Sequence, residues 1–107
     1  MSILGFLNPP ALDEGVERAK RTPGALLVDV RTREEYAAGH VPGSRNIPLD
    51  RIGSAELEQG RPLFLYCRSG SRSSQACAIL RRRGYAATNL GGIMGYRGGL
   101  ERGVSGE

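Results

Sequence analysis

Leu63-Phe64-Leu65-Tyr66-Cys67-Arg68-Ser69-Gly70-Ser71-Arg72-Ser73 is the stretch on which the reading of this chain turns. The apolar run from Leu63 to Tyr66 fits a strand buried on both faces, as in a parallel sheet. The residues after Cys67 include Gly and Ser, which let the backbone curl tightly. Beyond them Ala76, Ile79 and Leu80 recur at helical spacing, and Gly84 stands where a helix would end. The predicted unit is strand, cysteine, tight loop, helix. A curled loop turns its amides inward and makes an anion-binding nest. The helix behind it adds the positive end of its dipole.

Cys67 enters that field from the strand. A free thiol titrates near pH ~8.5. Lowering it by about two units takes about 2.7 kcal/mol. A helix dipole supplies at most about 2 kcal/mol, and each amide bond to a thiolate supplies about 1.5–3 kcal/mol. A catalytic histidine is therefore not required. The bland alternative is a small buried cysteine that is chemically inert.

Working outward, Ala25-Leu26-Leu27-Val28-Asp29-Val30 is a second apolar strand. Thr32-Arg33-Glu34-Glu35 has capping-box spacing and opens a short helix that Gly39 ends. Leu12, Val16 and Ala19 predict a first helix over 11–20, followed by a turn at Thr22-Pro23-Gly24. Asn46-Ile47-Pro48 allows a short strand only. Asp50 is placed to cap a helical segment near 51–58, and Tyr85 to Leu90 predicts a last strand. Ile3, Leu4, Phe6 and Leu7 are expected to pack on the domain as an edge strand. Helices between strands imply an α/β fold: a small, mostly parallel sheet with right-handed crossovers. Ligands in such sheets bind at strand carboxyl ends, where Cys67 and Arg31 fall.

With 107 residues and no repeat or linker, the chain reads as one domain, its core over about 11–96 and a Gly-rich tail over 97–107. The net charge is +4, and Lys20 is the single lysine among 15 basic residues. Arginine suits oxyanions, so an anionic substrate or partner fits, as does a plain compositional bias. Scattered basic residues, few aromatics and no recognisable module argue against nucleic acid. Cys67, Cys77 and one histidine, His40, are too few for a familiar zinc cluster, and no metal or cofactor is expected. Loop and helix between the cysteines hold them beyond disulfide range. Free thiols, no membrane-length apolar run and no signal-peptide pattern make the cytoplasm the expected location.

The chain resembles the rhodanese homology domain. The resemblance rests on Leu27-Val28-Asp29-Val30-Arg31, Glu35-Tyr36-Ala37-Ala38-Gly39-His40-Val41-Pro42-Gly43-Ser44, Asn46-Ile47-Pro48, the Cys67–Ser73 loop and Asn89-Leu90-Gly91-Gly92-Ile93, in that order. It implies a rhodanese-like fold with helices on both faces of the sheet. It also implies transfer of a sulfane sulfur from thiosulfate or a persulfide, through a Cys67 persulfide, to cyanide or a thiol. The amides of Arg68, Ser69, Gly70, Ser71, Arg72 and Ser73 would hold the sulfur anion. Arg68 and Arg72 would attract the donor. Arg31 matches a pocket-facing arginine, and an ion pair with a nearby carboxylate is an equal reading. A sulfur-relay module serving a protein partner, or an inactive interaction domain, are the other readings.

The phosphatases that share this fold separate cysteine and arginine by five residues. Here four separate Cys67 from Arg72, a smaller cradle that suits sulfur better than phosphate or arsenate. Among the other residues, His40 is expected to order a turn and Asp29 to bond loop amides or an arginine. Cys77 is expected in the core rather than as a resolving thiol. Arg81-Arg82-Arg83 reads as a solvated helix end rather than a partner patch. Tyr96 stands where relatives carry an aromatic, and the surrounding glycines weigh against a long terminal helix.

Overall fold

The computed structural model describes residues 12–103. Its elements are α1 (Leu12–Arg21), β1 (Leu26–Asp29), α2 (Arg33–Ala38), β2 (Arg45–Asn46), α3 (Leu49–Ile52), β3 (Leu63–Cys67), α4 (Ser71–Arg82) and β4 (Ala87–Gly92). The four strands form one sheet in the order β2-β1-β3-β4, with every pairing parallel. The α/β architecture expected from the sequence, a small parallel sheet with helices on both faces, is the one observed. The segment at Ile3–Leu7, expected to pack as an edge strand, lies outside the described residues.

Strand periodicity divides the core in two. Leu27, Phe64 and Tyr66 face Leu12, Val16 and Ala19 of α1. Val28, Val30, Leu63, Leu65 and Cys67 face the other way, onto Ile52 of α3 and Ala76, Cys77 and Leu80 of α4. All five β3 residues are buried, which explains why that strand shows no polar alternation. Each fully buried aliphatic side chain contributes about 1.5–3 kcal/mol. Covering both faces therefore anchors β3, one of the two interior strands, in the core. Its carboxyl end is where Cys67 emerges.

The segment expected as a helix over 51–58 is helical only from Leu49 to Ile52, and Pro48 rather than Asp50 stands at its N-cap, without a side-chain cap. The carbonyls that would continue it have other partners. Arg83 donates to the Ile52 and Ala55 oxygens at 2.7 and 2.8 Å, and the Tyr85 hydroxyl donates to Leu57 at 2.9 Å. The last strand starts at Ala87 rather than Tyr85, because Tyr85 turns inward to make that bond. Arg81 grips the Ala87 oxygen at 2.9 and 2.7 Å. Within the arginine run, Arg81 and Arg83 thus fasten the end of α4, while Arg82 is exposed.

β4 carries a bulge. Leu65 pairs with Asn89 but Tyr66 pairs with Gly91, leaving Leu90 as the extra residue. Past the bulge the chain is bound to the cysteine loop: Ile93 donates its amide to the Cys67 oxygen at 2.9 Å, and Met94 to Arg68 at 3.3 Å. Gly92 lies so close that a Cβ there would collide with the Arg68 carbonyl and Ser69. Those are backbone atoms and cannot swing aside. Gly92→Ala should cost about 1–3 kcal/mol, seen as a melting temperature lower by roughly 4–8 °C per kcal/mol, and should displace the loop after Cys67.

Candidate functional site

Cys67 ends β3, and the chain turns at once into a loop whose tightest residue is Gly70 (φ 102°). A left-handed conformation there favours glycine. A Cβ on Gly70 would also sit 3.3 Å from the Gly91 Cα. The turn aims the Gly70 amide at the Cys67 Sγ, 3.0 Å away, and α4 begins at Ser71. The Ser73 hydroxyl, in the first turn of α4, lies 3.4 Å from the same sulfur.

Burial alone would push the Cys67 thiol up. Hydrogen bonds from the Ser73 hydroxyl and from the amides of Ser73, Gly70 and Ser69 outweigh it, so the thiol sits below its ordinary value. Cys77, in the same core cluster, goes the other way: burial raises it, with only partial relief from Arg81. Both cysteines are free thiols.

The arginines expected at the site have three different fates. Arg31 is buried and its Nε and Nη2 bind the Asp29 carboxylate at 2.7–3.1 Å, with a further bond to the Gly39 oxygen at 2.7 Å. Burial opposes its charge, and Asp29 outweighs burial, so Arg31 is held protonated. Asp29 also accepts the Arg31 amide at 2.9 Å. Arg72 makes a bidentate pair with Glu35 of α2, at 2.7 and 3.0 Å. Arg68 is exposed, and its side chain makes no hydrogen bond or ion pair with the described residues. Ser69 and Ser71 are exposed beside it.

Two contributors are hard to single out from sequence. Glu35 has capping-box spacing and fills that role, exchanging bonds with Thr32 at 2.9 and 3.1 Å. Its grip on Arg72 spans 37 residues and has no local signature. Asn89 falls within a stretch that resembles the family, yet nothing in the sequence assigns it a role. In the structure its Oδ1 faces the Ser73 hydroxyl at 2.7 Å and the Gly91 amide at 2.9 Å. His40 stacks on Tyr36 with ring centroids 3.6 Å apart, and its Nδ1 lies 2.7 Å from the Tyr36 oxygen, so it orders the turn after α2. No group of three or more His, Cys, Asp or Glu among the described residues could hold a metal ion.

The Arg72 hydrogen bonds lower the Glu35 carboxyl to about 2, against opposing burial and with help from Thr32. A carboxyl lowered in the folded state adds stability above its unfolded value, near pH ~4.3, and loses it as pH falls toward 2. Thermal melts between about pH 5 and 2 should therefore show Glu35→Gln less stable than the parent at the upper end, with the gap closing as pH falls.

Residues 11–102 match the family model described as a rhodanese-like domain. A sulfurtransferase from Allochromatium vinosum is 40% identical over 86 residues, covering 78% of this chain and 76% of that protein. The human thiosulfate:glutathione sulfurtransferase is 37% identical over 95 residues, covering 73% of this chain and 81% of its own. Some relatives are longer, and the chain spans 49%, 18% and 62% of three of them. A solved rhodanese-like domain protein from Staphylococcus aureus superposes with a TM-score of 0.75 at 30% identity, over 88% of this chain and 96% of that one. With a low-lying thiol at the carboxyl end of a parallel strand and a family match over nearly its whole length, the chain belongs to the rhodanese family of sulfurtransferases.

Proposed function

We propose that Cys67 carries a sulfane sulfur as a persulfide between an anionic donor and a thiophilic acceptor. The observation that carries this reading is the Sγ held by the Gly70 amide and the Ser73 hydroxyl, with its titration lowered by donors that are not themselves cations. The Cys67 thiolate attacks the outer sulfur of thiosulfate, forming the new S–S bond. The old S–S bond breaks, and its electron pair leaves on sulfite. Cyanide or a thiolate then attacks the outer sulfur, and Cys67 departs as a thiolate, ready for another cycle. The amides of Ser69, Gly70 and Ser73 are directed at the sulfur, and in this reading the loop amides from Arg68 to Ser73 together stabilise the charge of the transferred sulfur.

Arg68 is the donor-binding cation in this reading, since its guanidinium is exposed and uncommitted. Arg72 acts as a fixed positive charge anchored by Glu35, and Arg31 supports the pocket through its pair with Asp29. Phosphoryl chemistry fits less well: the loop is one residue short, and the arginine that would clasp phosphate oxygens is already bidentate on Glu35. No helix among the described residues is long and apolar enough to cross a membrane. Thiosulfate, a low-molecular-weight persulfide and a relay protein are all admissible donors, and free thiols suit the reducing cytoplasm.

Intact-protein mass after incubation with thiosulfate tests the reading. The protein should gain one sulfur and lose it to cyanide or thiol, and Cys67→Ser should gain none. Retained transfer in Cys67→Ser would overturn the mechanism. Arg68→Ala should weaken use of thiosulfate by roughly tenfold to a hundredfold, the worth of one charge-assisted bond. An unchanged KM for thiosulfate would remove Arg68 from donor binding. Loading by a persulfidated partner but not by thiosulfate or small persulfides would identify a relay module.

A further inference from the structure

The Ser73 hydroxyl has one proton and two candidate acceptors. One is the Asn89 Oδ1 at 2.7 Å, and the other is the Cys67 Sγ at 3.4 Å. The orientation of the Asn89 amide is set by its other partners. Its Oδ1 accepts the Gly91 amide at 2.9 Å, while its Nδ2 donates to the Gly70 oxygen at 3.1 Å. The end of Asn89 that faces Ser73 is thus an acceptor only, and in the short contact Ser73 must be the donor. Its lone pairs then face the sulfur.

That arrangement suits a neutral sulfur and not an anion. A thiol can donate its S–H to the Ser73 oxygen, and the inner sulfur of a persulfide carries no full charge. A thiolate only accepts, so it needs the hydroxyl proton turned toward it. Turning requires rotation about the Cβ–Oγ bond alone and moves no heavy atom. Asn89 is exposed, so water can donate to its Oδ1 once the hydroxyl proton has turned away.

We propose that Asn89 is a positioning residue for sulfur transfer, holding the Ser73 proton away from Cys67 while its sulfur is neutral and releasing it when the sulfur becomes an anion. This rests on the reading of Cys67 as the sulfur carrier. The proton turns to Sγ when the thiol gives its own proton to solvent, before the thiolate attacks the donor. It returns to Asn89 once the persulfide has formed, and turns again when Cys67 leaves as a thiolate. Asn89 thereby disfavours the idle thiolate, and the donor competes with a proton that is already placed nearby. Arg72 on α4, itself paired with Glu35 of α2, is a charged group within electrostatic reach of Cys67, and Arg68 follows Cys67 directly in the loop. Asn89→Ala leaves both in place.

The experiment is a titration of sulfur-free protein by ultraviolet thiolate absorbance, with Cys67→Ser as the blank. Asn89→Ala should lower the Cys67 titration by about half to one pH unit, part of the value of one hydrogen bond to a charged group. The shift should vanish in a Ser73→Ala background, where there is no proton to release. Asn89→Asp keeps the acceptor for Ser73 and Gly91, so it should titrate at or above the parent. An unchanged or raised titration in Asn89→Ala, an equal shift with and without Ser73, or a fall in Asn89→Asp would each overturn the proposal. No sulfur donor enters this measurement. Failure of the toggle is therefore distinct from failure of sulfur loading, which the mass experiment reads.

Discussion

A sulfur anion at the end of a buried strand needs donors, and here they come mainly from the backbone. Cys67 is buried, and its contacts are the Gly70 amide and the Ser73 hydroxyl. Backbone amides converge on one atom only if the chain curls tightly, and curling fixes the glycines. Gly70 takes a left-handed φ of 102°. A Cβ on Gly70 would sit 3.3 Å from the Gly91 Cα, so the loop has little room for a larger residue there. Gly92 then lets β4 run against the carbonyl that begins the loop. The sheet order completes the constraint. With β3 between β1 and β4, the neighbouring strands bring in Asp29 and Arg31 from the end of β1 and Asn89 from within β4.

The charges around this centre are arranged so that few are free. Arg31 and Asp29 neutralise each other in the interior, where an unpaired partner would be costly. Arg72 and Glu35 join α4 to α2 across the mouth of the site. Glu35 does this while closing the capping box of its own helix. One carboxylate therefore fixes both the start of α2 and the arm of a loop arginine. Arg68 remains, exposed at the loop. One exposed, unpaired cation is thus left at the loop to meet an anion.

Local patterns made the scaffold legible. The unbroken apolar runs announced β1 and β3, the Thr32–Glu35 spacing announced α2, and the Cys67–Ser73 loop announced the site. What was not legible depended on distant partners. The helix after Pro48 stops at Ile52 because Arg83 and Tyr85, some thirty residues on, take nearby carbonyls. β4 is shifted toward its end by the inward turn of Tyr85. Arg72 reads as a free anion-binding residue until Glu35 is found beside it. Asn89 gains its importance from the bulge that puts Leu90 out of register, and no composition rule predicts a bulge in a parallel pair.

The two cysteines show that environment rather than residue type makes the chemistry. Both are buried in the same cluster, ten positions apart in sequence. Cys77 lies within α4, where every nearby amide is already spent on the helix, so burial raises its thiol. Cys67 lies just before α4, where the first amides have no helical acceptor and can turn to sulfur instead. The free donors at a helix start are usually satisfied by a capping side chain. Here Gly70 occupies the cap position and offers none, so the Cys67 sulfur accepts in its place. Any change of charge on that sulfur is therefore felt at the helix start as well as at the cysteine.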